Sequence, residues 1–130
     1  MASIDNKVIR VLIVDDDKLL SETLGLLIEN VMETKFDIVH AYDGKSALQK
    51  IEDENFDLLF FDYLLPDIDG LSMLRELKKR EIIKPVILLT GYSNEDIVSQ
   101  AKKLGALDII SKGDMNIETI IRVINKALTL

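Results

Sequence analysis

The sequence has no cysteine and few prolines, which interrupt helices and strands. Its 130 residues include one histidine and two prolines. The absence of thiols excludes disulfides, thiol catalysis and zinc–thiolate sites. No Pro/Ser/Gly-rich linker, internal repeat or low-complexity tract divides the chain. We therefore predict one domain over residues 1–130.

Positive charge and long apolar runs are also scarce. The chain has 16 Lys+Arg against 23 Asp+Glu, a net charge of −7. Because phosphate backbones are bound by basic faces, this balance disfavours direct nucleic-acid binding. No run approaches the roughly 18 apolar residues of a membrane span, and no secretory signal is evident. The sequence thus predicts a cytoplasmic protein that does not contact membranes.

Short apolar runs alternate with segments of helical periodicity five times. Two of the runs are apolar nearly throughout, which indicates strands buried on both faces of a parallel sheet. The alternation predicts a doubly wound α/β fold with a five-stranded parallel sheet and five helices. The predicted strands are Val8–Val14, Phe36–Ala41, Leu58–Phe61, Val86–Leu89 and Asp108–Ile110.

The predicted helices have polar residues at their starts and apolar stripes inside. In the last helix we predict Ile117, Ile121, Ile124 and Leu128 as the core stripe. A second apolar set in the same helix either broadens the core face or forms a partner or dimer surface. That second set is Ile120, Val123 and Ala127, and the predicted helix N-caps are Asp17, Asp69, Ser93 or Asn94, and Asn116.

Polar side chains stand at the carboxyl ends of four predicted strands. Chemistry in doubly wound sheets collects at that edge. One such residue alone is more often a turn residue, a cap or a surface charge. Four polar strand ends at one edge favour a functional site. The residues are Asp15, Asp16 and Asp17 after the first strand, Asp62 after the third, Thr90 after the fourth and Lys112 after the fifth.

The residue types indicate phosphoryl transfer. Clustered carboxylates without His or Cys favour Mg²⁺, with Mn²⁺ as a substitute. A metal ion and an ammonium group neutralise phosphoryl oxygens, and a hydroxyl donates a hydrogen bond to one of them. A carboxylate held beside these groups can itself be the nucleophile, giving an aspartyl phosphate.

These motifs resemble the receiver domain of two-component response regulators. "VLIVDD", "DLLFFDYLLPDIDG", "VILLTG" and "GALDIISK" occur in family order over nearly the whole chain. The resemblance implies a flavodoxin-like sheet of strand order 2-1-3-4-5 and no output domain in this chain. It further implies a sensor histidine kinase or phosphotransfer protein as phosphodonor, and an unidentified output domain or effector.

The resemblance also assigns roles to residues. It implies that Asp62 accepts the phosphoryl group, that Thr90 hydrogen-bonds it and that Lys112 pairs with it. It implies Mg²⁺ binding by Asp15, Asp16, Asp62 and the backbone carbonyl of Leu64. Asp17 is predicted to cap the first helix instead.

The chain departs from the family pattern at several positions. Ile109 stands where the family often has an aromatic switch residue, and Gly113 follows Lys112 where it often has proline. Leu64 and Tyr92 stand at positions that influence attack of water on the acyl phosphate. Since leucine cannot orient a water molecule, we predict slow autodephosphorylation. His40 is predicted to be structural.

Three alternatives stay open at this point. "VLIVDDD" also resembles the haloacid-dehalogenase phosphohydrolases, with Asp15 as nucleophile and Asp17 as general acid, but this leaves Asp62 unexplained. A receiver-like binding module that signals without phosphorylation is the second. A flavodoxin is the third, although Asp15–Asp17 would repel a bound phosphate.

Overall fold

The computed structural model describes residues 7–91 and 94–129, in which five strands alternate with five α-helices. All five predicted strands are confirmed. The strands are β1 (Ile9–Val14), β2 (Phe36–Ala41), β3 (Leu58–Asp62), β4 (Val86–Thr90) and β5 (Asp108–Ser111). The helices are α1 (Lys18–Val31), α2 (Gly44–Asp53), α3 (Gly70–Lys79), α4 (Glu95–Lys103) and α5 (Ile117–Leu128), with a 3₁₀ turn at Lys112–Asp114.

The strands form one parallel sheet in the order β2-β1-β3-β4-β5, as the family resemblance implied. The register brings the carboxyl ends of β3, β4 and β5 to one edge. Asp62 pairs with Leu89, and Thr90 pairs with Ser111. β3, β4 and β5 therefore each extend one residue further than predicted, because their last residue is polar but still paired within the sheet.

The sheet is buried on both faces, as the continuous apolar strands predict. In β3, Leu59 and Phe61 face the layer formed by α2, α3 and α4. Leu58 and Phe60 face the layer formed by α1 and α5. All four side chains are fully buried. Each contributes about 1.5–3 kcal/mol through burial of apolar surface, which fixes the sheet that positions the strand ends.

Every described α-helix begins at a side-chain cap. The predicted caps Asp17, Asp69, Asn94 and Asn116 are confirmed, and Asp43 caps α2 in the same way. Ser93, the alternative cap for α4, lies outside the described residues. Within the described ranges, no helix is both long and apolar enough to cross a bilayer.

The predicted core stripe of α5 is wrong in part. Ile117 and Leu128, predicted to face the core, are exposed. Ile124 is buried as predicted, together with the second apolar set, Ile120, Val123 and Ala127. The second set therefore belongs to the core, because α5 is rotated so that this face packs against α1 and the sheet. These buried residues are therefore not available for the partner or dimer surface that was the alternative interpretation.

Helices α3 and α4 end in the same hydrogen-bond pattern but with different residues. Ile82 N donates to Leu77 O and Ala106 N donates to Ala101 O, both at 2.9 Å. This is the Schellman motif, which places one residue in the left-handed backbone region. That residue is Gly105, with φ of +102°, after α4, but Glu81, with φ of +58°, after α3.

Glu81→Gly is expected to raise the free energy of unfolding by about 0.5–1 kcal/mol, because glycine adopts a positive φ without steric cost. Urea denaturation measures the difference. The matched control, Arg75→Gly in the exposed interior of α3, should lower stability by about 1 kcal/mol. A Glu81→Gly variant that is also destabilised would show that the left-handed backbone is not strained.

Candidate functional site

The side chains predicted at the strand ends meet in one pocket at the carboxyl edge of the sheet. Asp15 is 1% exposed and Asp62 is 5% exposed. Lys112 Nζ lies 3.1 Å from Asp15 Oδ2 and 3.2 Å from Asp62 Oδ1. Thr90, at the end of the adjacent β4, is also buried. The structure therefore brings together four predicted residues, with one ammonium bridging two carboxylates.

The three consecutive aspartates have three different surroundings. Asp15 is held by β-sheet geometry, since its N–H donates to Ala41 O at 3.1 Å. Its Oδ1 accepts a hydrogen bond from Asp17 N at 2.9 Å. Asp16 is exposed, and Asp17 Oδ1 caps α1 by accepting from Leu20 N at 3.1 Å. The Asp17 carboxylate is thus used by α1, whereas those of Asp15 and Asp16 stay close together at the site.

The loop after Asp62 is fixed tightly against the sheet. Tyr63 N donates to Leu89 O at 2.7 Å, and Gly70 N donates to Tyr63 O at 2.6 Å. A Cβ at Gly70 would lie 3.0 Å from Tyr63 Cα, a separation that real Cβ atoms rarely show. Only glycine lets α3 begin this close to the backbone of the acidic site.

Asp67, for which no sequence motif indicated a role, ties this loop to α2. Its carboxylate accepts hydrogen bonds from Gly44 N at 2.8 Å and Lys45 N at 2.9 Å. These backbone N–H groups lower the pKa of Asp67 below its ordinary value. The partners are more than twenty residues away in sequence, so no local pattern indicates the contact.

Burial and neighbouring charges shift the pKa values of Asp62 and Lys112. Burial, followed by the nearby Asp15 carboxylate, raises the pKa of Asp62 to about 6, and Lys112 opposes this shift. Burial disfavours the Lys112 ammonium, but its contacts with Asp15 and Asp62 outweigh that cost and raise the pKa of Lys112. At neutral pH Asp62 and Lys112 are both charged, and the ionised Asp62 is less stable in the pocket than a carboxylate in water.

The carboxylates fit a hard divalent cation. Oxygen atoms of Asp15, Asp16 and Asp62 all lie within 4.8 Å of one another. Asp15 Oδ2 is buried and accepts no well-aligned hydrogen bond from the described residues, although Lys112 Nζ is close. An oxygen-only donor set with a spare buried lone pair suits Mg²⁺ rather than a soft metal. The predicted Leu64 carbonyl ligand stays a prediction.

The positions that depart from the family pattern and are described by the structure have ordinary surroundings, as does His40. Ile109 is half-buried and packs against the α2–α4 layer. Gly113 lies in the 3₁₀ turn after β5, and none of the described peptide bonds is cis. His40 lies in β2, where its Nδ1 is 2.6 Å from Ser21 Oγ. Leu64 is exposed beside the pocket, and Tyr92 lies outside the described residues.

The fold and the pocket together define a doubly wound α/β domain with an acidic, lysine-bridged site at its strand ends. The family model of the response regulator receiver domain matches residues 11–125. The chain therefore belongs to the response regulator receiver domain family. A receiver domain of this family interacts with a phosphodonor and with an output region, and as a class it is not an enzyme of metabolism.

Curated relatives are longer than this chain. The protein-glutamate methylesterase/protein-glutamine glutaminase of Treponema denticola is 34% identical over 126 residues, which are 92% of this chain and 34% of that protein. The alkaline phosphatase synthesis transcriptional regulatory protein PhoP of Bacillus subtilis is 32% identical over 79% of this chain and 42% of its own length. The chain thus spans less than half of either relative.

Solved structures match over nearly the whole chain. The receiver domain of a Francisella response regulator is 33% identical, with a TM-score of 0.81 and coverage of 92% of this chain and 97% of that one. A Burkholderia pseudomallei response regulator with a phosphorylated aspartic acid, calcium ion and citrate is 26% identical, with a TM-score of 0.76 over 93% of this chain and 70% of its own. These matches confirm the predicted fold and favour neither a phosphohydrolase nor a flavodoxin.

Proposed function

We propose that this domain is a Mg²⁺-dependent phosphoacceptor in which Asp62 receives a phosphoryl group from a phosphohistidine of a sensor kinase or phosphotransfer protein. The observation on which the proposal rests is the contact of the buried Asp62 with Lys112, inside a cluster that also includes Asp15 and Asp16. A similar protein, from Burkholderia pseudomallei, has been solved with a phosphorylated aspartic acid.

In the transfer step, a carboxylate oxygen of Asp62 attacks the phosphorus atom. The new O–P bond forms as the N–P bond to the donor imidazole breaks, and the imidazole leaves with the bonding electron pair. Lys112, already 3.2 Å from Asp62 Oδ1, neutralises charge on the phosphoryl oxygens. The Thr90 hydroxyl donates a hydrogen bond to one of them.

Asp15, Asp16, Asp62 and the Leu64 carbonyl would hold Mg²⁺ or Mn²⁺. The bound ion supplies positive charge that stabilises the phosphoryl oxygens in the transition state. Asp15 contributes from a fixed, buried position, because its other oxygen is held by the Asp17 N–H. Asp16 is exposed, so its side chain would be able to turn toward the ion.

Phosphorylation would draw Thr90 and Lys112 toward the new group and shift the population of states of α4, β5 and α5. Ile109 has no ring to rotate behind Thr90. The signal would therefore pass through the paired backbones of β4 and β5, where Thr90 pairs with Ser111. The output domain or effector reached by this signal is a separate region or protein.

The proposal is tested by intact-protein mass after incubation with Mg²⁺ and acetyl phosphate. We expect one phosphoryl increment, which disappears in Asp62→Asn and in the presence of EDTA. Asp69→Asn, an acid in the same segment that caps α3, is the matched control and should still be phosphorylated. A folded wild-type protein without any increment, even from a phosphohistidine donor, would contradict the proposal and favour the phosphorylation-independent module.

Leu64→Asn is expected to speed autodephosphorylation about tenfold, because an amide at this exposed rim position can orient the attacking water and leucine cannot. The decay of the phosphorylated mass after removal of the donor measures the rate. Ile83→Asn makes a comparable aliphatic-to-amide change at an exposed position away from the site and should leave the rate unchanged. Equal rates for both variants would show that Leu64 does not control access of water.

A further inference from the structure

A second candidate site lies at the edge of the sheet opposite to the acidic pocket. It is a cleft of about 530 Å³ between the carboxyl-terminal ends of α3 and α4, next to Val86 at the start of β4. Clefts of this size with an apolar lining and a few polar groups are typical of binding sites. The apolar lining consists of Leu74, Leu77, Ile82, Ile83, Val86 and Leu104.

One lining residue is unusually exposed. Ile83 is 93% exposed, the highest value among the exposed large hydrophobic residues of the described chain. It follows the α3 C-terminus, where Glu81 keeps a left-handed backbone that glycine would adopt more easily. Ile83 continues the apolar lining of the cleft to the surface, and contiguous exposed apolar surface of this kind marks contact sites for other proteins.

The charges at the rim of the cleft identify the kind of partner. Lys78 and Lys103 are exposed, and neither makes a side-chain hydrogen bond or ion pair within residues 7–91 and 94–129. Lys84 also lines the cleft, and its Nζ donates to Asn55 Oδ1 at 2.7 Å. The lining also includes Glu81, so three lysines stand against one carboxylate and the cleft is locally basic, although the whole chain has a net charge of −7. A second copy that met this cleft through its own cleft would place lysines against lysines, whereas acidic groups of a different protein would meet two unpaired lysines.

We propose that this cleft docks an acidic amphipathic helix of a partner protein. Apolar side chains of the helix would enter the cleft and cover Ile83, and its carboxylates would pair with Lys78 and Lys103. Thr90 and Val86 stand at opposite ends of β4, about 13 Å apart for a strand of this length. The cleft and the acidic pocket therefore lie at opposite edges of the sheet.

The test is a titration of the isotope-labelled domain with two synthetic helical peptides, followed by NMR. Both peptides have leucines at positions i, i+3, i+4 and i+7, with glutamates flanking them in one and lysines in the other. We expect the glutamate peptide to shift the signals of Ile83 and of both helix C-termini, and to bind at least tenfold more tightly than the lysine peptide. Equal affinity, or shifts confined to other surfaces, would overturn the proposal.

Variants separate the apolar and the charged parts of the interaction. Ile83→Ser and the double variant Lys78→Gln/Lys103→Gln should each weaken binding at least fivefold. All three side chains are exposed, so the fold is preserved. The matched control is Lys35→Gln/Lys45→Gln, which removes the same charge from exposed positions elsewhere and should bind like the wild type. If both double variants weaken binding equally, the lysines at the rim do not form the site.

Two further measurements complete the test: sedimentation of the domain, and peptide binding by a variant of the acidic site. Self-association of the domain that is lost in Ile83→Ser would show that a second copy occupies the cleft and would overturn the proposal of an acidic partner. Asp62→Asn should bind the glutamate peptide with unchanged affinity. Unchanged affinity would show that peptide binding does not depend on phosphorylation. Failure of the docking proposal would then not imply failure of the phosphoacceptor proposal, or the reverse.

Discussion

Asp62→Asn is expected to stabilise the metal-free domain by about 2 kcal/mol above pH 7. Burial and the Asp15 carboxylate raise the pKa of Asp62 from an ordinary 3.8 to about 6. The folded domain at neutral pH thus holds a carboxylate that would be more stable protonated. One pKa unit corresponds to about 1.4 kcal/mol, so the shift sets an upper limit of about 3 kcal/mol, and the amide is an imperfect substitute for a protonated carboxyl group.

The effect should depend on pH with a definite sign. Because the pKa of Asp62 is raised on folding, the folded state binds the proton more tightly than the unfolded state. The stabilisation that this proton provides is present below about pH 4 and is lost as the pH rises through about 6. The difference between variant and wild type should therefore be small at pH 4 and reach its full size above pH 7.

Urea denaturation in EDTA, repeated across this pH range, measures the effect. Asp16→Asn removes the same charge from an exposed neighbour in the cluster and should change stability by less than about 0.5 kcal/mol. Added Mg²⁺ should stabilise the wild type more than Asp62→Asn, because the amide is the weaker ligand. A variant that is less stable than the wild type in EDTA at pH 7.5 would contradict the electrostatic account of the site.

Lys112→Gln is expected to have the opposite effect and to destabilise the metal-free domain by about 2–3 kcal/mol at pH 7. The substitution leaves two buried carboxylates, Asp15 and Asp62, without their shared cation. The side chain of Lys112 is 24% exposed, so we place the cost below that of breaking a fully buried pair. Phosphorylation by acetyl phosphate should slow at least a hundredfold, roughly the effect of removing one transition-state charge contact.

A double-mutant cycle isolates the interaction of Lys112 with Asp62. In the Asp62→Asn background, Lys112→Gln should cost at least about 1 kcal/mol less, since only the Asp15 contact remains to be lost. Lys126→Gln, which removes an exposed lysine 3.6 Å from Asp108, should cost less than about 0.5 kcal/mol in either background. Additive costs in the cycle would mean that Lys112 and Asp62 do not interact.

The strands and the composition of the site could be predicted because their signals are local. A strand buried on both faces must be apolar along its length, and β3 and β4 are. The last residues of these strands were missed because Asp62 and Thr90 are polar, and sequence shows polarity but not backbone pairing. The sheet topology then placed the two residues at one edge, where the pocket was predicted.

The parts that could not be predicted depend on contacts far apart in sequence. The apolar residues of α5 cover much of its circumference, so two overlapping stripes fit the pattern. Only packing against α1 and the sheet selects Ile120, Val123 and Ala127 over Ile117 and Leu128.

Two further contacts had no local signal. Asp67 binds the start of α2 more than twenty residues away. Glu81 occupies a left-handed position that sequence reasoning would assign to glycine. In both cases the surrounding fold imposes an arrangement that the residue types do not indicate.

The most direct test of the account is to identify the residue that becomes an acyl phosphate. After phosphorylation with acetyl phosphate and Mg²⁺, borohydride reduction converts a phosphorylated aspartate to homoserine, and peptide mass mapping locates it. We expect homoserine at position 62 only, with none in the sample treated with EDTA. Homoserine at position 15 or 16 would contradict the assignment of Asp62 and would favour the phosphohydrolase alternative, in which Asp15 is the nucleophile.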